Sequence, residues 1–329
     1  MGHQEVAVIL STFNGENYIS EQIESILIQE TDSLKISIFI RDDLSSDGTK
    51  KILDEIISKS GGKVALIENQ GENVGVKMSF WNLVQQIPDE FDVIFFSDQD
   101  DIWSENKISR HIQEYEKNNT DVPTGVFSDL WIADANGQST GRKMSERNHW
   151  ENSELSTEFL SFDYRVTGAA FSFNQAALRF LRKLNITNID RVNMHDSFIA
   201  LLLQARGRLV QINEPLVFYR QHNNNVIGSQ IRNRSVFEKI NRLRESAEQL
   251  IHDDSLAYTV LKNESEVPTS SLLVLEKFYK YQESVNILQR IFRTMQISKY
   301  IRGKMKIPYL ILLVGTRVKR NRQEVKNND

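Results

Sequence analysis

Strand and helix patterns alternate through the first part of the chain, and this alternation limits the possible folds more than any other feature. Short apolar runs rich in Val, Ile and Phe have the length and content of buried strands. Between them, apolar residues recur at helical spacing, as Ile19, Ile23 and Ile26 do. Strands separated by helices of this length predict a parallel sheet with right-handed crossovers. The predicted strands are Glu5–Leu10, Ile36–Arg41, Val64–Ile67 and Val93–Phe96.

A polar cluster follows three of these strands at the point where each strand ends. The clusters are Thr12–Asn14, Asp42–Asp47 and Asp98–Asp101. Ligands of open α/β sheets bind beyond the carboxyl ends of the strands. We therefore expect the three clusters to meet at one edge of the sheet and to form a binding site there.

The cluster Asp98–Asp101 contains three carboxylates at the end of a predicted central strand. Carboxylates two residues apart can converge on a hard divalent cation, and such a cation can bridge the oxygens of a diphosphate. The alternative is an Asp-rich turn that caps a helix starting near Ser104. Because like charges repel one another unless a cation joins them, the crowding favours the cation.

The other polar groups have both a functional and a structural interpretation. In the pair Asp42–Asp43, a carboxylate can accept a hydrogen bond from the ring N–H of a pyrimidine, or both can belong to an Asx turn. Backbone N–H groups at Asn73–Gly75, together with Lys77, can approach phosphates at a helix start. His195–Asp196 begins a predicted helix and Arg220–His222 ends a predicted strand. Residues in such places often act only as caps or structural contacts.

Charge and composition exclude several classes of protein. The formal net charge of -4 argues against a nucleic-acid partner. The longest apolar run, Tyr309–Val314, is far shorter than the roughly 18 residues that span a bilayer. No charged-then-apolar leader is visible, so we expect a cytoplasmic protein. The chain has no cysteine, and any metal must therefore be held by carboxylates and imidazoles.

The C-terminal part of the chain differs from the rest. After Arg232 the pattern is almost wholly helical, and we place a domain boundary near Gly228–Ile231. From Lys299 to Asp329 there are nine basic and two acidic residues, a local charge of +7. This basic tail surrounds the apolar stretch Ile307–Val314. It either lies on an anionic membrane surface or packs on the preceding domain with its charges solvated.

Several of these segments together resemble one protein family. One group of segments resembles the nucleotide-sugar half of an inverting family 2 glycosyltransferase of GT-A fold. These segments are Val8–Asn14 with Glu21 and Ser25, Arg41–Thr49, Asn73–Gly75 and Phe96–Trp103. A second group resembles the acceptor half of that family. It consists of Gly168–Ala170, His195–Asp196 and the stretch from Glu214 to Asn225. Within the family, Ser97–Trp103, His195–Asp196 and Tyr219–His222 look like the rhamnosyltransferase branch.

The resemblance implies an α/β fold of GT-A type, in which a Rossmann-like, mostly parallel, nucleotide-sugar-binding sheet is flanked by helices and followed by a helical C-terminal extension. It covers about residues 5–228. The implied catalytic domain is 1–228, with a nucleotide-sugar half at 1–103 and an acceptor half at 104–228. The implied C-terminal region is 229–329 and ends in the basic amphipathic tail.

The resemblance also implies roles for individual residues. Thr12 and Asn14 would line the nucleotide pocket, Asp42 would hold the base, and Asp98 would face the ribose. Asp100, the last residue of a DXD motif, would bind Mg²⁺ or Mn²⁺, with His222 as a metal or diphosphate contact. Asp196 would be the general base, and Lys77, His195 and Arg220 would bind substrate.

The implied reaction agrees with the chemistry of these residue types. A nucleoside diphosphate leaves readily once a cation neutralises its developing charge, and one base then suffices for a single, inverting displacement. By the resemblance, the donor is dTDP-L-rhamnose and the acceptor is a hydroxyl of a glycan or lipid-linked oligosaccharide in cell-surface polysaccharide synthesis.

Two other functions are the alternatives. A sugar nucleotidyltransferase would open with a Gly-rich, basic loop after the first strand, and Ser11–Gly15 is not such a loop. A non-catalytic nucleotide-sugar- or glycan-binding module would be expected to lack Asp100 or Asp196, and both are present. Glycosyl transfer is therefore the preferred interpretation.

Overall fold

The computed structural model describes residues 4–69, 71–117, 121–148, 150, 155–161, 165–222 and 236–301. Strands and helices alternate through its first half, as the sequence pattern predicts. The strands are β1 (Gln4–Thr12), β2 (Leu34–Asp42), β3 (Val64–Leu66), β4 (Val93–Ser97), β5 (Ile102–Trp103), β6 (Thr124–Ala133), β7 (Ser139–Lys143), β8 (Phe171–Asn174) and β9 (Arg208–Arg220). The α-helices are α1 (Ile19–Leu27), α2 (Thr49–Lys59), α3 (Gly75–Gln86), α4 (Lys107–Glu116), α5 (Met144–Asn148), α6 (Thr157–Leu160), α7 (Gln175–Lys183), α8 (His195–Arg206), α9 (Val236–Leu261), α10 (Thr269–Gln282) and α11 (Ile287–Ile297).

The strands form one sheet in the order β3-β2-β1-β4-β8-β6-β9-β5, with β7 beside β6. The first four strands are parallel to one another. Strand β8 runs antiparallel between β4 and β6, and β9 is parallel to β6. The predicted α/β sheet with flanking helices is confirmed.

The register of the parallel strands brings the polar clusters together. Thr12 at the end of β1 pairs with Asp42 at the end of β2, and Leu10 pairs with Ser97 at the end of β4. The three clusters that follow these strands therefore lie at one edge of the sheet, as the sequence predicts.

Apolar layers cover both faces of the sheet, which explains why β1 is an almost continuous apolar run. Because side chains alternate along a strand, Ala7 and Ile9 enter one layer, while Val6, Val8 and Leu10 enter the other. Helices α3, α7 and α8 contribute to the first layer, and α1 and α4 contribute to the second.

Two local predictions differ from the structure around β5 and β9. The apolar runs Leu209–Ile212 and Leu216–Tyr219 predict two separate strands, but they form one strand whose register with β6 shifts at Asp129. The helix expected near Ser104 begins at Lys107. The helix starts later because Ile102 and Trp103 first pair with Phe218 and Val217. This pairing brings the acidic turn against the end of β9.

The predicted helical extension is confirmed over 236–301. Ala257 and Leu261 of α9 and Leu275 of α10 belong to the same apolar layer as α8, so these helices share the core of the sheet domain. The boundary predicted at 228–229 and most of the basic tail lie outside the described residues, and the division into domains stays a prediction. In the part of the chain that the structure describes, no helix is long and apolar enough to cross a membrane.

Candidate active site

The loop after β1 is closely tied to the loop after β2. Asn14 has a positive φ of 51°, and its side-chain Oδ1 accepts a hydrogen bond of 2.8 Å from the backbone N–H of Ser46. Asp42 accepts hydrogen bonds from the backbone N–H of Ser45, at 3.1 Å, and from the Ser45 hydroxyl. The Asx-turn interpretation of Asp42 therefore holds locally, and a role for Asp42 in holding the base stays a prediction.

Gln99 of the acidic turn organises the loop after β1. Thr12 Oγ1 donates to Gln99 Oε1 at 2.7 Å, and the backbone N–H of Phe13 donates to the same oxygen at 2.8 Å. Thr12 is only 1% exposed, so its side chain supports the pocket from within. A Cβ on Gly15 would lie 2.5 Å from Gln99 Oε1, which explains the glycine there.

Phe13 is a further candidate site residue, which the sequence analysis did not single out. Its side chain is 47% exposed between Thr12 and Asn14, at the same edge of the sheet as the acidic turn. An exposed aromatic ring beside a candidate nucleotide pocket offers a face on which a base can stack. The sequence feature that could have identified Phe13 is a large apolar residue inside an otherwise polar turn.

The start of α3 is occupied by protein groups. The Asp43 carboxylate accepts hydrogen bonds from the backbone N–H groups of Val74, at 3.0 Å, and Gly75, at 2.8 Å, and from Arg41 Nη1 at 2.5 Å. Gly75 has a positive φ of 74°, which favours glycine at this helix start. Two of the backbone N–H groups expected to approach phosphates therefore bind a carboxylate of the chain itself.

Lys77 is likewise engaged within the protein. Its Nζ donates to the carbonyl oxygens of Asp190, at 2.5 Å, and Val192, at 2.7 Å. The neighbouring backbone N–H of Asn193 donates to the Asp253 carboxylate on α9, at 3.1 Å. Lys77 thus ties α3 to the segment that leads into α8, and its predicted role in binding substrate stays a prediction.

The acidic turn brings two candidate metal ligands together. His222 Nε2 lies 2.7 Å from Asp100 Oδ2. The ring of His222 stacks on Tyr18 with their centroids 4.9 Å apart. Desolvation, reinforced by the carboxylates of Asp100 and Asp196, raises the pKa of Asp98 to about 7. The charge of Lys107 opposes this rise without cancelling it.

Asp101 and Lys107 lie beneath the turn. Asp101 Oδ1 accepts a hydrogen bond of 3.0 Å from the backbone N–H of Arg220, while its Oδ2 is buried with no hydrogen-bond partner among the described residues. Burial, followed by repulsion from Asp100, raises the pKa of Asp101 well above its usual value. Lys107 Nζ is buried 3.3 Å from the centroid of the Trp103 ring and donates to the Ala169 carbonyl at 2.6 Å. Burial lowers the pKa of Lys107 well below its usual range.

Arg220 holds the acidic turn in place. Its Nε donates to the Asp100 carbonyl at 2.8 Å, one terminal nitrogen donates to the Ala135 carbonyl, and the other donates to Glu21 Oε2 at 2.6 Å. Its guanidinium also lies 4.8 Å from the centroid of the Tyr18 ring. These contacts give Arg220 a structural role, while substrate binding by Arg220 stays a prediction.

Asp196 lies in the region predicted as the acceptor half and is fixed by two backbone groups. It lies in the first turn of α8 and is 5% exposed. Its Oδ2 accepts a hydrogen bond of 2.5 Å from the backbone N–H of Gly168, and its Oδ1 accepts one of 2.6 Å from Ser197. A Cβ on Gly168 would lie 3.3 Å from Oδ2, so the glycine permits this approach.

His195 faces the interior. Its ring stacks on Phe80 with the centroids 4.4 Å apart, and neither ring nitrogen has a hydrogen-bond partner within the described ranges. Burial lowers the pKa of His195, so the ring is neutral at pH 7. The predicted substrate contact from His195 stays a prediction.

The acidic turn has donor atoms suited to a divalent cation. No group of three or more acidic or histidine side chains among the described residues is already placed as a complete metal site. Asp100 and His222 nevertheless lie side by side, and burial raises the pKa of the neighbouring Asp98 and Asp101 carboxyls although Lys107 opposes the rise. Carboxylate oxygens fit Mg²⁺ or Mn²⁺ when a diphosphate completes the coordination.

Comparison with known proteins connects this geometry to a family. Residues 7–179, more than half of the chain, match the profile of glycosyl transferase family 2. The chain belongs to glycosyltransferase family 2. The predicted enzyme class, a glycosyltransferase, is thereby confirmed in preference to a nucleotidyltransferase or a binding module.

Two curated relatives support this assignment. The dTDP-rhamnosyl transferase RfbG of Shigella flexneri is 30% identical over 241 residues, which cover 71% of this chain and 79% of that protein. The uncharacterized glycosyltransferase alr2836 of Nostoc sp. is 25% identical over 229 residues, 67% of this chain and 66% of that protein. The resemblance to the rhamnosyltransferase branch is confirmed at the level of sequence similarity.

Solved structures of glycosyltransferases confirm the GT-A fold. The S. aureus TarS 1-349 structure in complex with UDP-GlcNAc aligns with a TM-score of 0.58 at 12% identity, over 94% of this chain and 90% of that chain. The mannosyltransferase PcManGT from Pyrobaculum calidifontis, in complex with GDP-Man and Mn²⁺, aligns with a TM-score of 0.51 at 14% identity, over 94% and 86% of the two chains. At these identities the likeness concerns the fold alone.

Proposed function

We propose that this family 2 enzyme is a metal-dependent, inverting rhamnosyltransferase that transfers L-rhamnose from dTDP-L-rhamnose. The observation that carries the proposal is the position of Asp196. Its carboxylate is buried in the first turn of α8 and is fixed there by two backbone N–H groups. The 30% identity to a dTDP-rhamnosyl transferase supports the choice of donor.

Asp196 is the proposed general base. It would accept the proton of the acceptor hydroxyl as that oxygen attacks the anomeric carbon on the face opposite the leaving group. A single displacement of this kind inverts the anomeric centre, whereas retention by double displacement needs a second, nucleophilic carboxylate. Its two backbone hydrogen bonds would keep the carboxylate aimed during the reaction.

The donor would bind at the carboxyl ends of β1, β2 and β4. Asp42 and Asn14 would lie beside the base, Phe13 would stack on it, and Asp98 would face the ribose. Asp100 and His222 would hold Mg²⁺ or Mn²⁺, which as a Lewis acid offsets the negative charge on a leaving diphosphate.

The proposed acceptor is a hydroxyl of a glycan or lipid-linked oligosaccharide in the synthesis of a cell-surface polysaccharide. A lipid-linked acceptor would place the reaction on the cytoplasmic face of the plasma membrane. The enzyme would then associate with that face peripherally.

A panel of nucleotide sugars tests the donor assignment. We expect release of dTDP from dTDP-L-rhamnose in the presence of Mg²⁺ or Mn²⁺, together with a thermal shift that UDP-glucose, UDP-N-acetylglucosamine and GDP-mannose do not produce. With an acceptor glycan, NMR should show an inverted anomeric configuration in the product. Turnover of a UDP-sugar alone would refute rhamnose as the donor sugar and leave glycosyl transfer standing.

Phe13→Ala tests the proposed stacking on the base. Loss of the ring should raise KM for the donor about tenfold, because stacking on an aromatic side chain contributes to the binding of each base. The turnover number should change little, since Phe13 does not contact the reacting atoms. Phe13→Tyr keeps the ring and serves as the matched control. An unchanged KM in Phe13→Ala would show that the base binds elsewhere.

A further inference from the structure

Helix α11 presents its apolar side chains outward and its polar side chains inward. Leu288, Phe292 and Met295 are 75%, 61% and 64% exposed. Their spacing of four and three residues places them on one face of the helix. Arg290 and Thr294, by contrast, are buried against the rest of the protein. This is the reverse of the pattern expected for a helix whose only neighbours are its own domain and water.

Local contacts explain the inward polar residues. The Arg290 guanidinium lies 5.8 Å from the centroid of the Tyr281 ring of α10, and Thr294 Oγ1 donates to the Arg290 carbonyl at 2.7 Å. Ile297 is buried in the same apolar cluster as Tyr281 and Tyr300. The helix is therefore anchored in a fixed orientation, and the outward face of Leu288, Phe292 and Met295 is a stable feature of the fold.

The segment of the chain that contains α11 is basic in sequence. The forty residues 284–323 contain ten Lys or Arg and neither Asp nor Glu, although the whole chain carries more acidic than basic residues. Arg293 belongs to α11 itself, and the exposed Lys299 follows two residues after its end. A protein partner of the same sign would be repelled, whereas anionic phospholipid headgroups would be attracted.

We infer that the outward face of α11 docks on an anionic phospholipid membrane. Leu288, Phe292 and Met295 enter the boundary between headgroups and acyl chains, while the exposed Lys299 contacts the headgroups. The inference rests on the proposed function in one respect: a lipid-linked acceptor would be presented at the same membrane surface. Membrane docking would raise the encounter rate with that acceptor without taking part in the chemistry.

Flotation with vesicles tests the inference on the full chain. We expect wild-type protein to float with vesicles of phosphatidylglycerol and phosphatidylcholine at low salt, and to float much less with pure phosphatidylcholine. The variant Leu288→Ser/Phe292→Ser/Met295→Ser should bind the anionic vesicles at least about tenfold more weakly, because three exposed apolar side chains no longer enter the lipid. The matched control Ile28→Ser/Leu66→Ser removes exposed apolar side chains of the nucleotide-sugar half and should bind as wild type does.

Three results would overturn the inference. Wild-type protein could fail to float with anionic vesicles, or the triple variant could float as well as wild type. Alternatively, wild-type protein could be an oligomer that the triple variant converts to a monomer, without vesicle binding by either, and α11 would then be a contact between copies. Donor turnover without vesicles is measured in parallel. If turnover persists in all variants, a loss of vesicle binding shows that docking has failed while the proposed glycosyl transfer still stands.

Discussion

Asp196→Asn is expected to lower the turnover number by at least about 100-fold, the lower range of what a positioned general base contributes. The amide has nearly the same shape as the carboxylate, and its oxygen can still accept the hydrogen bond from Gly168, while its NH2 group replaces the oxygen that accepts from Ser197 and loses that hydrogen bond. It cannot accept the proton of the acceptor hydroxyl. Donor binding, measured by calorimetry, should be close to that of wild type because Asp196 belongs to the acceptor half.

Asp190→Asn is the matched control for this variant. Asp190 is exposed and lies on the same segment, and only its backbone carbonyl is bound by Lys77. Its turnover should equal that of wild type. If Asp196→Asn lost donor binding while turnover per bound donor stayed normal, Asp196 would be a structural cap of α8 and not the base.

The position of the candidate site was accessible from the sequence, because it depends on simple regularities. Parallel strands joined by helices place their carboxyl ends at one edge, so the clusters after β1, β2 and β4 had to converge. Asp196 could be singled out only through the resemblance, because an acid in the first turn of a helix is more often a cap.

The contacts within the site could not be predicted, because they depend on pairings between distant segments. Strand β5 has only two residues, too few to give a periodic pattern, yet it sets the acidic turn against Arg220. Lys107 has the sequence context of a solvated helix residue, and only the packed structure shows its ammonium buried over Trp103. The sequence places Lys77 near a helix start, where it could contact a phosphate. In the folded structure its Nζ binds backbone carbonyls of the distant segment 190–192.

Asp100→Asn is expected to raise the concentration of Mn²⁺ needed for half-maximal activity and to lower kcat/KM by about 100-fold, since it removes a charged ligand from a cation that offsets charge on the leaving group. The geometry around the residue should survive the change. Arg220 binds the backbone carbonyl of Asp100, and an asparagine oxygen can still receive the hydrogen bond from His222. A titration of activity with Mn²⁺ after treatment with a chelator measures both effects.

Two further variants decide whether the effect of Asp100→Asn belongs to the metal. His222→Gln should shift the Mn²⁺ titration in the same direction, because its ring nitrogen lies 2.7 Å from the Asp100 carboxylate. Asp54→Asn removes an exposed carboxylate from the middle of α2 and should leave the titration unchanged. Full activity of Asp100→Asn in the presence of chelator would mean that the acidic turn holds no cation.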